Sequence, residues 1–297
     1  MGFEKLYCVG GNLWEGKGAP SFHRYDFLSN RWEAMAPMAM AEWSGAAAAL
    51  GGQLYAMGAP ADDDAPGTLE RYNPAKNAWE ACAPMSTPRQ SPAAAVASGK
   101  LYVMGGHDGG YDPLDSVERY DPAADVWEVV APMLTARRWA AAAALDGRLY
   151  VVGGGEVSDG LSSVERYDPA TNAWEAVAPH PIAKLYASAA AVLDGRLYVM
   201  GGAAEPEFSE TSSVHRYDPS TDVWEVVAPM STARRWAAAA VVDGLLYVMS
   251  GSPLEDRGDL GTLVERYDPA ADVWEAVGRT PHRVGVVPDM QYALLAI

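Results

Sequence analysis

The chain has 297 residues, 49% of them apolar and 21% charged, with a formal net charge of −17. Length permits one or two domains with a large core, while the acidic balance argues against a nucleic-acid partner, which needs a basic surface, and against an anionic membrane. No apolar run reaches the roughly 18 residues of a membrane span, and the start, MGFEKLYCVGG, has no signal-peptide pattern. The two cysteines, Cys8 and Cys82, sit in apolar contexts that read as buried thiols, which suits a reducing cytoplasm.

Taken in chain order, the predicted elements repeat. A Leu-Tyr step running into a glycine doublet, or a relic of one, begins at Leu6, Leu54, Leu101, Leu149, Leu197 and Leu246. A tyrosine follows at Tyr25, Tyr72, Tyr120, Tyr167, Tyr217 and Tyr267, and each has a tryptophan seven residues later, at Trp32, Trp79, Trp127, Trp174, Trp224 and Trp274. The stretch ERYDPAADVWE occurs twice without change, at 118–128 and 265–275. Self-similarity at a period of about 50 residues marks a repeat architecture.

Each unit divides into four short segments. An alanine-rich segment ends in Asp146-Gly147, Asp194-Gly195, Asp243-Gly244, Gly51-Gly52 or Ser98-Gly99. Such pairs between apolar runs signal a two-residue hairpin, because both turn residues need positive φ. The Leu-Tyr segment, a variable loop, a segment such as SVERYDP and a last one such as WEAVAP complete the unit. Alanine favours helix on propensity, but RRWAAAAA at 137–144 is too short for a stable isolated helix. It reads instead as the innermost strand of its unit, where strands converge on an axis and larger side chains would overpack. The fold class expected is all-β: a six-bladed β-propeller of four-stranded antiparallel blades, forming one domain over 1–297.

The glycine doublet, the Tyr-Asp-Pro and the tryptophan seven residues on resemble the kelch repeat over nearly the whole chain. Gly58-Ala59, Ser250-Gly251 and Asn73 are the departures, each affecting a local turn. Glu4–Val9 opens on the second strand of a unit, so the C-terminus must supply the missing first strand and remove an open sheet edge. Arg283–Val287 and Met290–Ile297 are the two candidates, the second the better placed. The regular tryptophans and tyrosines read as packing between units, and the recurring Glu-Arg pairs Glu118-Arg119, Glu165-Arg166 and Glu265-Arg266 as structural.

The resemblance implies that ligands meet a face built from the loops after the glycine doublets and from the entries to the innermost strands. The loops are acidic, with Asp62-Asp63-Asp64, Glu205, Glu207, Glu210, Glu255, Asp256 and Asp259 opposed by Lys17 and Arg257. The entries carry Arg89, Arg137-Arg138, Lys184, Arg234-Arg235 and Arg283 against Glu42, with Trp43, Trp139, Tyr186 and Trp236 beside them. An inner basic ring inside an acidic rim suits an acidic or carboxylate-bearing ligand held by arginine forks and flat rings. The alternative is that the arginines pair with the acidic loops and seal the face. The ligand-binding candidates are Arg138, Trp139, Arg235, Trp236, Arg89, Ser91, Ser44, Tyr186 and His107.

Neither Asp62–Asp64 nor the loop His107–Asp115 has a defined calcium spacing, and no histidine pair has zinc spacing. No metal and no cofactor are expected. The kelch resemblance also covers enzymes, but Cys8 and Cys82 do not suggest a copper-radical oxidase site, and the spaced Glu, Asp and His set of iron-dependent specifier proteins is missing. The expectation is a monomeric, cytoplasmic, non-catalytic module that binds a protein or peptide, with no nucleic-acid or membrane partner. An epimerase or mutarotase acting on an anionic sugar, and a consensus-derived scaffold with no evolved ligand, are the alternatives.

Overall fold

The computed structural model describes residues 5–9, 22–27, 29, 31–38, 45–58, 67–110, 112–156, 159–183, 185–204, 209–249, 263–279 and 293–296. Their regular structure is entirely β. Six four-stranded antiparallel sheets carry it, numbered I to VI here in chain order. Sheet I runs from Ala293–Ala296 through Leu6–Val9 and Phe22–Asp26 to Arg31–Ala34. The C-terminal candidate at 290–297 thus supplies a first strand, with Leu6 opposite Ala296 and Val9 opposite Ala293. The other candidate, Arg283–Val287, lies outside the described residues.

The remaining sheets follow the chain without crossover. Their innermost strands are Ala46–Leu50 (sheet II), Ala93–Ala97 (III), Ala141–Leu145 (IV), Ala189–Leu193 (V) and Ala238–Val242 (VI), and their outermost strands begin at Ala78, Val126, Ala173, Val223 and Val273. The alanine runs are strands, so position at the axis overrides helix propensity. Innermost strands of consecutive sheets are neighbours, and Ala293–Ala296 lies beside both Ala238–Val242 and Ala46–Leu50. The hairpin signals hold, with Asp146 and Gly147 at φ 52° and 76°.

The hydrophobic core lies between sheets. One cluster joins each consecutive pair, and another joins sheet VI to sheet I through residues such as Leu6, Tyr25, Ala240 and Tyr247. Along five junctions the tyrosine of a Leu-Tyr step meets the third-strand tyrosine of the next sheet, as Tyr102 meets Tyr167, with ring centroids 5.7–6.1 Å apart. Tilted or edge-on contacts of this kind add to the burial of area.

The repeated Tyr and Trp do more than fill space. The turn between the third and fourth strands holds Asn77, Asp125, Asn172, Asp222 or Asp272 in the left-handed region, at φ 46–57°. Asn and Asp tolerate that conformation best among residues with side chains. The Oδ1 of each accepts a hydrogen bond from the tyrosine of its own sheet, as from Tyr120 to Asp125 at 2.6 Å. It also accepts the backbone N–H of an alanine in the preceding sheet, as from Ala83 at 2.9 Å. The tryptophan indole of the same sheet donates to that same alanine's carbonyl, as Trp127 does at 2.8 Å. Both polar groups of one backbone unit are thus gripped by the next sheet.

The glycine doublet serves the same junctions. Gly106, Gly154 and Gly202 donate their N–H to the carbonyls of Arg137, Leu185 and Arg234 in the next sheet's entry, at 2.6–2.8 Å. A Cβ on Gly105, at φ 63°, would stand 2.2 Å from the Arg137 carbonyl oxygen, so no larger residue fits under that crossing. Of the thiols, Cys8 is buried, and its pKa is pushed up to about 12 by that burial, whereas Cys82 is only partly covered.

Three of the clasp residues titrate. Asp125 is held below the usual carboxylate range first by the Ala83 amide and then by Tyr120; Asp272 behaves likewise with Ala228 and Tyr267. A depressed carboxyl stabilises the fold above its unfolded pKa, and that stabilisation is lost as pH falls through the folded value. Asn77 and Asn172 fill the same slot without a charge. Asp125→Asn is therefore expected to change stability at pH 7 by less than about 1 kcal/mol and to lessen the loss below pH 4, whereas Trp127→Ala should cost about 3–5 kcal/mol. Urea unfolding at the two pH values checks both.

Candidate functional site

The innermost strands surround an axial cavity of about 310 Å³, lined by Ala46–Ala49, Pro92–Val96, Ala140–Ala144, Ala187–Ala190 and Trp236–Ala239. One end is framed by the entry segments of sheets III to VI. Two residues before each innermost strand stands Ser91, Trp139, Ala187 or Trp236, each with φ of 51–57°. Their backbones form an inter-sheet chain: the Trp139 N–H donates to the Ser91 carbonyl at 3.2 Å, Ala187 to Trp139 at 2.9 Å, and Trp236 to Ala187 at 2.7 Å. A left-handed conformation costs a residue with a side chain roughly 1–2 kcal/mol, which these bonds offset. Ser and Ala fill the slot in two sheets, so the ladder does not require tryptophan. The indoles of Trp139 and Trp236 are additions to it.

Those indoles and Tyr186 make an aromatic cluster with Ala187 and Ala203. Trp139 and Tyr186 lie with ring centroids 6.3 Å apart. The Arg138 guanidinium sits over Trp139 at 4.1 Å and that of Arg235 over Trp236 at 4.3 Å, cation–π contacts that hold each indole plane. Arg235 also pairs with Glu210 at 3.1 Å and remains partly open to solvent. Burial pushes the Glu210 carboxyl up, and Arg235 opposes that push. Trp139, Arg235 and Trp236 are partly exposed, whereas Tyr186, Arg138 and His107 are buried. His107 lies beside Gln90 across an isolated bridge, at the foot of its loop.

The expected basic ring needs correction. Arg89 is 0% exposed, not presented to a ligand. Its guanidinium donates to the Gly105 and Ser116 carbonyls at 2.9 and 3.0 Å, to the Ser116 hydroxyl at 2.8 Å and to Glu118 at 3.2 Å. Arg137 makes the same set with Gly153, Ser163 and Glu165, and Arg234 pairs with Glu265 at 2.8 Å. Desolvation draws the pKa of all three arginines down, against the pull of the glutamate. Ser91 is also 0% exposed; what it offers to the mouth is its backbone carbonyl, taken by Trp139. Ser44, Trp43, Glu42, Lys184 and Asp62–Asp64 lie outside the described residues.

The Glu-Arg pairs thus divide their labour. The glutamate faces the buried arginine of its own sheet's entry, while the arginine pairs with the glutamate after the tryptophan, as Arg166 does with Glu175 at 2.6 Å. Sequence reading counted Glu210 only as rim charge and missed it as the partner of Arg235. The buried partners were open to discovery, because aligned units place glutamate on the third strand wherever arginine stands four residues before an innermost strand. Among the described residues no group of three His, Cys, Asp or Glu side chains is placed to hold a metal, and no helix is long and apolar enough to cross a membrane.

Sheets of this construction, packed face to face around an alanine-lined axis with glycine doublets under the crossings from sheets III, IV and V, define a kelch-type β-propeller. The family model described as the Attractin/LZTR1 β-propeller matches residues 58–287, and the chain belongs to that family. A solved structure titled "Structure of YjhT" is similar, with a TM-score of 0.72 and 15% identity over 90% of this chain and 96% of that one. That likeness is one of fold. The search of curated proteins gives no match.

The two kinds of entry residue separate by experiment. Arg137→Ala leaves Glu165 buried without its cation and should cost about 3–5 kcal/mol. Trp139→Ser installs the residue that sheet III carries in that slot and is expected to cost less than about 1 kcal/mol. Denaturant midpoints measured side by side test the division.

Proposed function

We propose that the chain is a six-bladed propeller, closed by the pairing of Ala293–Ala296 with Leu6–Val9, and that it is a non-catalytic module binding a protein or peptide at the mouth of its axial cavity. The ligand presents a carboxylate to Arg235 and covers Trp236 and Trp139. One observation carries this reading: Arg235, partly exposed at the mouth and stacked on Trp236, already pairs with a carboxylate, that of Glu210. A guanidinium fixed over a ring is a pre-organised seat for a carboxylate, and partly exposed tryptophan and arginine are the side chains that dominate binding hot spots.

A fluorescein-labelled acidic peptide, titrated by anisotropy, tests the site. Binding is expected to weaken with salt, to fall at least about ten-fold in Arg235→Ala, as loss of a charge-assisted hydrogen bond implies, and to tighten in Glu210→Gln, which vacates the seat. An Arg235→Ala protein that binds as tightly as the parent sinks the carboxylate seat. Deleting 290–297 is expected to lower the melting temperature sharply or cause aggregation, since it exposes the edge of Leu6–Val9; an unshifted cooperative melt contradicts the closure.

A further inference from the structure

Sheet V departs from its neighbours at four linked positions. In sheets III, IV and VI the segment leading to the entry carries a buried methionine, Met85, Met133 and Met230. The next residue donates its N–H to the third-strand glutamate: Ser86 to Glu118, Leu134 to Glu165, Ser231 to Glu265. The entry arginine then completes the ion pair. In sheet V the methionine is His180, the N–H donor is Pro181, which has none, the arginine is Leu185, and the glutamate is His215. The imidazoles pack edge to face with centroids 4.6 Å apart, and His180 also stands edge-on to Trp224 at 4.9 Å. Both histidines are buried, at 3% and 6% exposure. His180 Nδ1 accepts the Ile182 N–H at 3.2 Å, while its Nε2 is buried without a partner.

We propose that the His180–His215 pair is an acid-sensitive latch that holds the entry segment of sheet V, and with it Tyr186 and Ala187, against the channel mouth. The reasoning is one of charge. A neutral pair fits this apolar seat, and a protonated one brings a buried cation beside a second titratable ring with nothing to compensate it. The groups facing the pair are His215 and His180 themselves, Trp224 on the fourth strand, Ile182 and Leu185 on the entry segment, and the Ser162 carbonyl, which accepts the His180 N–H at 2.8 Å. Among the described residues no carboxylate or cation bears on either ring.

Burial lowers the His180 pKa to about 3, with His215 reinforcing the shift, and burial lowers that of His215. A histidine depressed in the closed state binds fewer protons than in the opened state, so closure is strongest above the ordinary histidine pKa near 6.5 and weakens as pH falls below it. This window lies above that of the clasp aspartates. The segment that would loosen is tied to the mouth by the Leu185 carbonyl on Gly154, by Tyr186 beside Ala203, and by the Ala187 N–H on Trp139. The latch is independent of which ligand occupies the mouth.

Amide hydrogen exchange on the full chain tests it, after correction for the intrinsic pH dependence of exchange. From pH 7.5 to 5.5, protection at Leu185, Tyr186 and Ala187 is expected to fall about ten-fold for each histidine that titrates on opening. Arg137, Arg138 and Trp139, the same slots in sheet IV, serve as the control and should change little. His180→Met, the residue other sheets bury there, should remove at least half of the logarithmic loss. The exchange His180→Met, Pro181→Ser, Leu185→Arg, His215→Glu, which restores the neighbours' arrangement, should abolish it and carries the test if the single variant does not fold. Equal loss at the control positions, or an undiminished loss in the variant that folds, overturns the latch.

Discussion

The structure depends on a two-way grip on the backbone of one residue. At each of five junctions an alanine just past the end of an outermost strand has its N–H taken by an Asn or Asp of the next sheet and its carbonyl taken by that sheet's tryptophan. Apolar burial between sheets supplies most of the attraction, but it is non-directional. The grip converts it into a fixed angle, because the donor and the acceptor of the alanine must both be met at once by groups of the same neighbouring sheet. The tyrosine completes the arrangement by bonding the same Oδ1 and packing on the tryptophan, with ring centroids 5.0–5.2 Å apart. The kelch signature of Tyr and Trp is therefore the visible part of a hydrogen-bonded unit whose third member, an Asn or Asp in the left-handed region, is just as necessary.

The mouth of the cavity obeys a second constraint built on the first. Once sheets are fixed in angle, their entry segments cross one another over the glycine doublets, and each crossing must satisfy its own backbone. The ladder through Ser91, Trp139, Ala187 and Trp236 does this without help from side chains. That frees the side chains in these slots to vary, and the rings appear there with their arginines laid over them. Two residues before those slots, the arginine row is committed to glutamates within the sheet. Adjacent arginines in Arg137-Arg138 and Arg234-Arg235 thus have opposite duties because extended chain alternates its side chains between opposite faces.

That alternation explains how much was legible in advance. The period, the Asp-Gly turns and the small residues of Ala140–Ala144 sufficed for sheet order and for the strand at the axis, since each is a local signal. The fates of Arg89 and Arg138 were not local. Arg89 finds Glu118 at a separation of 29 residues, and composition alone counted it among charges facing outward. Comparison of units column by column exposes the pairing, because Arg and Glu come together in sheets III, IV and VI and leave together in sheet V. Glu210 carries no such mark, and its meeting with Arg235 follows from loop geometry that no spacing encodes.

The clasp has one more property. The five junctions described use the same chemistry between the same slots, so the clasp recognises a neighbour but not a particular neighbour. Nothing in the Asp, Tyr and Trp triplet distinguishes sheet III from sheet VI, and the stretch shared by 118–128 and 265–275 is identical in both places. As far as the clasp goes, the order of the sheets is left to chain connectivity. The chain can then be reopened at a hairpin such as Asp146-Gly147, its old ends joined, and the same interfaces would still find one another. A fragment of a few sheets keeps two unsatisfied faces that fit any other such fragment. Growth of such chains by duplication and their mispairing during folding are the same physical fact.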